Sequence, residues 1–321
     1  MRAAGAAVKS RLNSFRPMSR ALLLDTHALL FRAFFALPPM STKAGEPTSA
    51  LYGLAVMLLK LLRDERPGGL AFALDAAQPT FRHLQSPSYK AHRPPLPDAL
   101  RRQLEALPRL LDAVGAPTFV APGFEADDVL ATLARQLAAS KIAVRIVTAD
   151  HDLFQVARDG VDVLFVGTRG RKSILYDRAA LVARYGVEPG QLPSLTALVG
   201  DASDNLPKIP GVGARTAQKL VQRFGDMRGL IEGLEQVTPA ALRGTLAAAS
   251  AQLLDTESLA RLRDDVPLPP GARAAPIGPE AWSRMRVLFV EWEFGSLLPR
   301  IDQLARADAP AAADDQLHFD I

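Results

Sequence analysis

Short apolar runs alternate with amphipathic stretches through the first half of the chain. Runs of β-type residues occupy 21–25, 70–75, 117–121, 143–149 and 161–166. The segments between them include three with helical periodicity, at 27–36, 48–63 and 126–138. Continuous apolar runs are typical of buried parallel strands, and their alternation with helices indicates an α/β fold. The pattern predicts an α/β core over 21–188 with a central, mostly parallel sheet flanked by helices.

From residue 189 the pattern becomes mainly helical, with segments at 192–199, 214–224, 239–253 and 279–289. We therefore expect a C-terminal helical region over 189–300. The basic segment 1–20 shows no periodicity and is expected to be a flexible extension, and the Ala- and Asp-rich segment 301–321 a mobile acidic tail.

One connection between the predicted strands and helices is unusually long and irregular. The segment 80–102 contains Pro87, Pro94, Pro95 and Pro97 among basic and aromatic residues, where a short turn would suffice. Long irregular connections inside compact domains are often functional. We expect this insertion to contribute to a binding or catalytic site.

Three of the apolar runs stop on an aspartate, at Asp25, Asp75 and Asp150. The carboxyl ends of parallel strands line one crevice, so these side chains should lie together. Two acidic clusters, Glu125–Asp128 and Asp201–Asp204, extend the set. The candidate metal ligands are Asp25, Asp75, Glu125, Asp127, Asp128, Asp150, Asp152, Asp201 and Asp204.

Such a set of carboxylates needs cations. Two like charges about 4 Å apart repel by roughly 4 kcal/mol at an effective dielectric constant of about 20. An all-oxygen ligand set without cysteine or zinc-like histidine spacing favours Mg²⁺ or Mn²⁺. The alternative for each single acid is helix capping or plain solvation at the surface.

Composition narrows the class of protein. The 321 residues are 48% hydrophobic, and no apolar run approaches the roughly 20 residues that cross a bilayer. We expect a cytoplasmic protein without disulfides or thiol catalysis, since cysteine is absent. The net charge of +4 is concentrated in patches at 1–20, 80–110 and 205–223. Basic patches around an acidic centre favour a polyphosphate partner, most naturally nucleic acid.

The second acidic cluster leads into a candidate phosphate-binding turn. Gly211 and Gly213 in Pro210–Gly213 permit a tight turn whose amides, with the next helix N-terminus, can hold a phosphate. Lys208, Arg215 and Lys219 would add contacts to a nucleic-acid backbone. This is a helix-hairpin-helix signature, and a plain glycine-containing helix connection is the alternative.

Over about 21–300 the chain resembles the bacterial 5′-3′ exonuclease and flap endonuclease family, and is similar to the 5′-nuclease domain attached to bacterial DNA polymerase I. The resemblance rests on an ordered series of motifs: Leu24-Asp25, Ala44–Thr48, Tyr52-Gly53, Phe72–Asp75, Thr80–Arg82, Tyr89–Pro95, Glu125–Asp128, Asp150–Asp152, Gly200–Asn205 and Pro210–Gly213. Two departures are Thr26-His27, where the family often has a Gly-Ser-like pair, and Ala149–Asp152, where it often has Gly-Asp-Lys-Asp. Neither removes a carboxylate.

The resemblance implies a PIN-like or resolvase-like core, a helical arch at about 80–110 and a C-terminal helix-hairpin-helix region. It implies hydrolysis of DNA phosphodiesters with two or more Mg²⁺ or Mn²⁺ ions, leaving a 5′-phosphate and a 3′-hydroxyl. One ion would be served by Asp25, Asp75, Glu125, Asp127 and Asp128, the other by Asp150, Asp152, Asp201 and Asp204.

The family also implies roles for the basic residues. Lys90 and Arg93 would contact the scissile phosphate, with Arg82 as a weaker catalytic candidate. The residues expected to bind DNA are Tyr89, Lys208, Gly211, Gly213, Arg215, Thr216 and Lys219. A K⁺ ion at the hairpin is a further expectation.

The expected substrate is DNA with 5′ single-stranded flaps or ends, acted on in replication or repair by a monomer associated with the bacterial nucleoid. Because no polymerase segment follows Arg300, we expect a free-standing nuclease. The terminal Gln316–Ile321 faintly resembles a sliding-clamp-binding peptide, with an unpartnered tail as the favoured alternative. Phe31, Phe34 and Phe35 offer a stacking face, although core packing is favoured.

Two other functions stay open. A PIN-like ribonuclease would share the acidic α/β core, although such domains usually lack the arch and the basic hairpin. A non-catalytic DNA-junction-binding protein would share the hairpin, and the full acidic set argues against it.

Overall fold

A six-stranded sheet forms the centre of the protein, in the order β3-β2-β1-β4-β5-β6. The computed structural model describes residues 20–167 and 172–308. The strands are β1 Ala21–Asp25, β2 Gly69–Ala73, β3 Thr118–Phe119, β4 Val144–Thr148, β5 Val161–Phe165 and β6 Ile174–Tyr176. Neighbouring strands run parallel except β6, which pairs antiparallel with β5. This confirms the predicted α/β fold with a mostly parallel sheet.

Register places the strand ends together. Ala21 of β1 pairs with Gly69 of β2 on one side and with Val144 of β4 on the other. Because the three strands start level and have five residues each, their carboxyl ends also finish level. The loops that carry the predicted acids therefore leave the sheet at one edge.

Helices cover both faces of the sheet and build the C-terminal region. They are α1 Thr26–Ala36, α2 Ser49–Glu65, α3 Phe81–Gln85, α4 Asp98–Val114, α5 Ala126–Ala139, α6 Arg178–Tyr185, α7 Leu192–Val199, α8 Ala214–Phe224, α9 Met227–Glu232, α10 Ala240–Ala248, α11 Ser250–Ala260, α12 Glu280–Glu291 and α13 Leu298–Asp308. None of the helices in the described ranges is long and apolar enough to cross a membrane.

The core divides at the sheet because successive strand residues face opposite sides. On β1, Leu22 and Leu24 pack with α1, α2, α4, α12 and α13, whereas Leu23 packs with α5. A separate buried cluster, including Leu198, Val221 and Leu253, holds the C-terminal helices together. Helices α12 and α13 return from that region to cover the first face of the sheet.

The predicted arch over about 80–110 needs correction. Helix α4 begins at Asp98 and buries Leu100, Leu107 and Leu110 in the core, so most of this helix is part of the scaffold. Between α3 and α4, residues 86–97 run in turns and extended backbone without a helix. The segment above the acidic edge is therefore the non-helical stretch 86–97. Its prolines disfavour a helix, and α4 cannot extend the segment because its apolar stripe is buried in the core.

The ends of the chain also differ from expectation. Helix α13 continues to Asp308 with Ile301 buried, so 301–308 is an ordered helix rather than part of a tail. The predicted helix at 239–253 is two helices, α10 and α11, which meet at Ala249. The expected extension 1–20, apart from Arg20, and the Gln316–Ile321 peptide lie outside the described residues.

Candidate active site

The predicted acids gather at the carboxyl edge of the sheet. Asp25 is the last residue of β1 and caps α1, and Asp75 follows β2 by two residues. Asp150 follows β4 by two residues, and Asp127 lies in the first turn of α5. The parallel register therefore brings together carboxylates that are up to 125 residues apart, from Asp25 to Asp150.

Asp25 lies at the centre of this edge and is buried. Its Oδ2 accepts a hydrogen bond of 2.6 Å from Thr148 Oγ1, and its Oδ1 accepts one of 3.2 Å from the Ala28 amide. Burial and repulsion from Asp150 and Asp75 outweigh these bonds and raise the pKa of Asp25 to about 7. The site therefore disfavours a negative charge at Asp25 when no cation is bound.

Asp127 and Asp152 show the same effect. Burial, with repulsion from Asp25 and Asp150, raises the pKa of Asp127 well above its ordinary value. Burial, with repulsion from Asp150, Asp204 and Asp201, does the same for Asp152. Within 20–167 and 172–308, no lysine or arginine forms an ion pair with these two aspartates.

Asp75 is held from two sides. Its Oδ1 accepts a 2.8 Å hydrogen bond from the Ala126 amide at the start of α5, and its Oδ2 lies 3.1 Å from His27 Nδ1. Although burial acts to raise it, the hydrogen bonds from His27 and Ala126 lower the pKa of Asp75. Asp75 is therefore ionised and fixed in orientation.

A second group of acids is paired with cations of the segment 82–93. Glu125 accepts from Lys90 Nζ at 3.0 Å and from the Tyr89 hydroxyl at 3.2 Å. Asp204 accepts from Arg93 Nη2 at 2.8 Å and from the Tyr89 hydroxyl at 2.9 Å. The turn that carries Tyr89, Lys90 and Arg93 is thus folded onto the acidic edge.

The backbone reinforces this docking. The Lys90 amide donates to the Asp204 carbonyl at 3.1 Å, and Asn205 Nδ2 donates to the Ser88 carbonyl at 2.9 Å. Asp201, in the same loop, accepts from the amide and hydroxyl of Ser203, both at 2.7 Å. The turn and the loop 201–205 therefore form one wall of the site.

The Arg82–Asp128 pair contradicts two predicted roles. Arg82 is 1% exposed, and its guanidinium donates to both oxygens of Asp128 at 2.7 and 2.8 Å. It also donates to the carbonyls of Leu259 and Arg261 beyond the site. Arg82 therefore does not face a substrate, and the fully buried Asp128 has both oxygens committed to structural bonds.

The acids do not form a finished metal site. In the two described ranges, no three His, Cys, Asp or Glu side chains are grouped so that they could hold a metal ion. The carboxylates are close enough to repel one another, but Glu125, Asp128 and Asp204 are turned toward protein cations. The predicted convergence is therefore visible in the electrostatics of the site and not as a preformed coordination shell.

The hairpin predicted to bind DNA follows the acidic loop directly. Gly211 has a φ of +77°, a backbone conformation that favours glycine, and Gly213 caps the start of α8. Lys208, Arg215 and Lys219 are exposed, and Thr216 is half-buried in the first turn of α8. An antiparallel bridge between Asp201 and Leu206 links the acidic edge to this basic helix.

The aromatic residues of α1 differ in burial. Phe31 and Phe34 pack against the core, whereas Phe35 is 73% exposed at the end of the helix. Among the other candidates, His151 is exposed and stacks on Phe165 with the ring centroids 4.4 Å apart. Its expected orientation toward solvent is confirmed.

Comparison with known proteins decides the family. A family model for the 5′-3′ exonuclease N-terminal resolvase-like domain matches residues 20–186, and one for the 5′-3′ exonuclease C-terminal SAM fold matches residues 187–281. The chain belongs to the 5′-3′ exonuclease family. The resemblance of the sequence motifs to this family is thereby confirmed.

Curated relatives of this 5′-3′ exonuclease family member include DNA polymerases I. Thermostable DNA polymerase I of Thermus thermophilus is 38% identical over 308 residues, which cover 96% of this chain and 36% of the relative. DNA polymerase I of Mycobacterium bovis is 39% identical over 294 residues, covering 90% of this chain and 32% of the relative. The chain thus spans about a third of the length of these proteins.

Solved structures share the fold at low sequence identity. The T5 5′-exonuclease with bound zinc ions matches with a TM-score of 0.62 and 20% identity, covering 90% of this chain and 98% of that one. Human GEN1 in complex with Holliday junction DNA matches with a TM-score of 0.61 and 17% identity, covering 92% of this chain and 75% of that one. Both matches extend through the sheet and the C-terminal helices of this family member.

Two contributors to the site, Thr148 and His27, were not among the predicted site residues. Thr148 bridges Asp25 and the loop after β4, since its hydroxyl also accepts from the Asp150 amide at 2.9 Å. His27 contacts Asp75 from a different element. The position of Thr148, at the last place of a strand and two residues before Asp150, is a signal that could have identified it.

Proposed function

We propose that this chain is a divalent-cation-dependent, structure-specific 5′ nuclease that hydrolyses DNA phosphodiesters at 5′ ends and 5′ flaps. The main observation in support of this proposal is that the acids of the site fall into two sets. Asp25, Asp127 and Asp152 repel their neighbours and lack protein cations within the described residues, whereas Glu125 and Asp204 are paired with Lys90 and Arg93. The first set suits metal ions, and the second presents cations to a phosphate.

The donor chemistry fits hard divalent ions. The residues that would hold them are oxygen donors only. Family resemblance assigns Asp25, Asp75, Glu125, Asp127 and Asp128 to one ion, and Asp150, Asp152, Asp201 and Asp204 to the other. We leave Asp128 out of the proposal, because both of its oxygens are bonded to Arg82. Bound Mg²⁺ or Mn²⁺ would supply an activated water and stabilise the leaving 3′ oxygen, leaving a 5′-phosphate. Because Glu125 and Asp204 are engaged by the turn 86–93, their use as ligands requires Lys90 and Arg93 to move off them.

Lys90 and Arg93 then become available to the substrate. Both side chains reach the acidic edge from the same turn. Once released from the acids, they would place positive charge beside the scissile phosphate. Positive groups aimed at developing negative charge lower the barrier to phosphoryl hydrolysis. Tyr89, whose hydroxyl lies within hydrogen-bond distance of both Glu125 and Asp204, would hold the turn in register with the acids.

The hairpin would grip the duplex beside the flap. Lys208, Arg215 and Lys219 are exposed around the Gly211–Gly213 turn, and contacts to the DNA backbone position a substrate without reading its sequence. A K⁺ ion at this turn belongs to the same proposal. We place the activity in DNA replication or repair in the bacterial cytoplasm, by a monomer, with clamp binding by Gln316–Ile321 as a separate proposal.

A labelled 5′-flap substrate tests the function. Cleavage should occur with Mg²⁺ and not with EDTA, and mapped products should carry a 5′-phosphate and a 3′-hydroxyl. A matched RNA flap should be cut more slowly if DNA is the substrate, and faster if the ribonuclease alternative is right. Binding of the DNA flap without cleavage under any divalent ion would favour the junction-binding alternative.

A further inference from the structure

His27 connects two elements that both carry acids of the site. It lies in the first turn of α1, two residues after Asp25, and its side chain reaches the loop that follows β2. Its Nδ1 lies 3.1 Å from Asp75 Oδ2 and 3.2 Å from the Asp75 backbone amide. One ring nitrogen therefore contacts both the carboxylate and the backbone of the same residue.

The tautomer of His27 decides which of these groups it holds: the Nδ1–H form holds the carboxylate, and the Nε2–H form holds the backbone amide of Asp75. The ring itself has little freedom, because the side chain is only 20% exposed and lies beside Phe31, with the ring centroids 6.3 Å apart. His27 thus forms a stiff link between α1 and the loop of Asp75.

Asp75 needs such a link more than the other strand-end acids do. Its side chain is 47% exposed, and it follows the last residue of β2, Ala73, by two residues. The Ala126 amide holds only its Oδ1, so without His27 the other oxygen would have no hydrogen bond among the described residues. Asp25, by contrast, is buried and held by a backbone amide and Thr148.

We propose that His27 is a positioning residue that aims Asp75 at a divalent cation and so sets the affinity of the site for the ion. This inference rests on the proposed nuclease function. Groups that hydrogen-bond to a metal ligand typically contribute 10- to 100-fold to metal affinity or activity. His27 acts through Asp75 and does not itself touch the substrate.

The test compares cation binding and cleavage in one set of variants of the full chain. Calorimetric titration with Ca²⁺, without DNA, should give about 10-fold weaker binding for His27→Ala than for wild type. His27→Asn, whose amide can donate near the Nδ1 position, should recover most of that loss. Lys60→Ala is the control, since Lys60 is an exposed residue of α2 that pairs with Asp64 outside the acidic edge, and this variant should bind Ca²⁺ like wild type.

Flap cleavage at increasing Mg²⁺ separates positioning from damage to the fold. For His27→Ala the Mg²⁺ concentration at half-maximal rate should rise about 10-fold, with kcat at saturating Mg²⁺ close to wild type. A fall in kcat that Mg²⁺ cannot restore, or Ca²⁺ affinity equal to wild type, would overturn the inference. Thermal melting in EDTA checks folding, and His27→Asn supplies the same comparison if the alanine variant unfolds.

The wild-type protein distinguishes the two levels of proposal. If it binds Ca²⁺ and cleaves the flap while His27→Ala behaves identically, only the role of His27 fails. If the wild-type protein shows neither cation binding nor Mg²⁺-dependent cleavage, the nuclease function fails and the role of His27 with it.

Discussion

Replacement of Arg82 by methionine should lower the free energy of unfolding without removing any contact to a substrate, because Arg82 is buried and faces Asp128. Methionine keeps much of the length of the side chain but leaves the Asp128 carboxylate, which is 0% exposed, without its guanidinium. Removing one partner of a buried ion pair typically costs about 3–5 kcal/mol. The Glu125 and Arg263 amides still donate to Asp128, so we expect a loss of about 3 kcal/mol.

Urea unfolding followed by circular dichroism measures this loss. Arg101→Met is the matched control: Arg101 pairs with Asp98 at the surface, and its loss should leave the free energy of unfolding close to that of wild type. Adding Asp128→Asn to Arg82→Met should recover part of the stability, because the buried charge is gone. If Arg82→Met leaves the free energy of unfolding within 1 kcal/mol of wild type while cleavage is lost, Arg82 is a substrate contact and our reasoning is wrong.

The other predictions concern the acids and Lys90. Asp127→Asn should abolish Mg²⁺-dependent flap cleavage while flap binding in Ca²⁺, followed by fluorescence anisotropy, stays near wild type, and the exposed Asp98→Asn should change neither. Lys90→Ala should slow single-turnover cleavage about 100-fold with the flap still bound; an unchanged rate would remove Lys90 from the mechanism. Because burial raises the pKa of Asp25 from 3.8 to about 7, the folded state binds the proton more tightly than the unfolded state does, so in EDTA the free energy of unfolding should fall as pH rises from about 4 to about 7. Asp25→Asn should flatten that decline in urea titrations across pH, and an equal slope in both proteins would contradict the assigned pKa.

The acids at the strand ends were predictable because their positions follow from local pattern. An apolar run that stops on Asp25 or Asp150 predicts both a strand and the place where it ends. Parallel pairing then brings these strand ends together. The short turn at 86–97 was not predicted, since α4 packs on the core through an apolar stripe whose burial depends on α2 and α12. Pattern alone cannot tell a helix of an arch from a helix of the scaffold.

The roles of individual side chains were less predictable. Arg82 resembles a phosphate contact in the sequence, but its partners include carbonyls 177 and 179 residues away, which only the fold brings together. His27 departs from the family pattern, yet from the first turn of α1 it contacts Asp75, in the loop that follows the neighbouring strand β2. Such pairings depend on tertiary geometry, so the periodicity of the sequence does not predict them.

The charge balance of the site connects these observations. The cations of segment 82–93 neutralise Glu125, Asp128 and Asp204 within the protein. Asp25, Asp127 and Asp152 have no such partner among the described residues, and burial together with repulsion from neighbouring carboxylates raises their pKa values. A cation from solution would relieve that repulsion, which is the physical basis of the proposed metal dependence.

Anomalous diffraction from crystals soaked in Mn²⁺ tests this claim most directly. The account predicts at least two peaks at the carboxyl edge of the sheet, within about 2 to 2.5 Å of carboxylate oxygens that include those of Asp25, Asp127 and Asp150. Lys90 should then be released from Glu125. Absence of any peak at this edge, with the acids still apart at saturating Mn²⁺, would contradict the account.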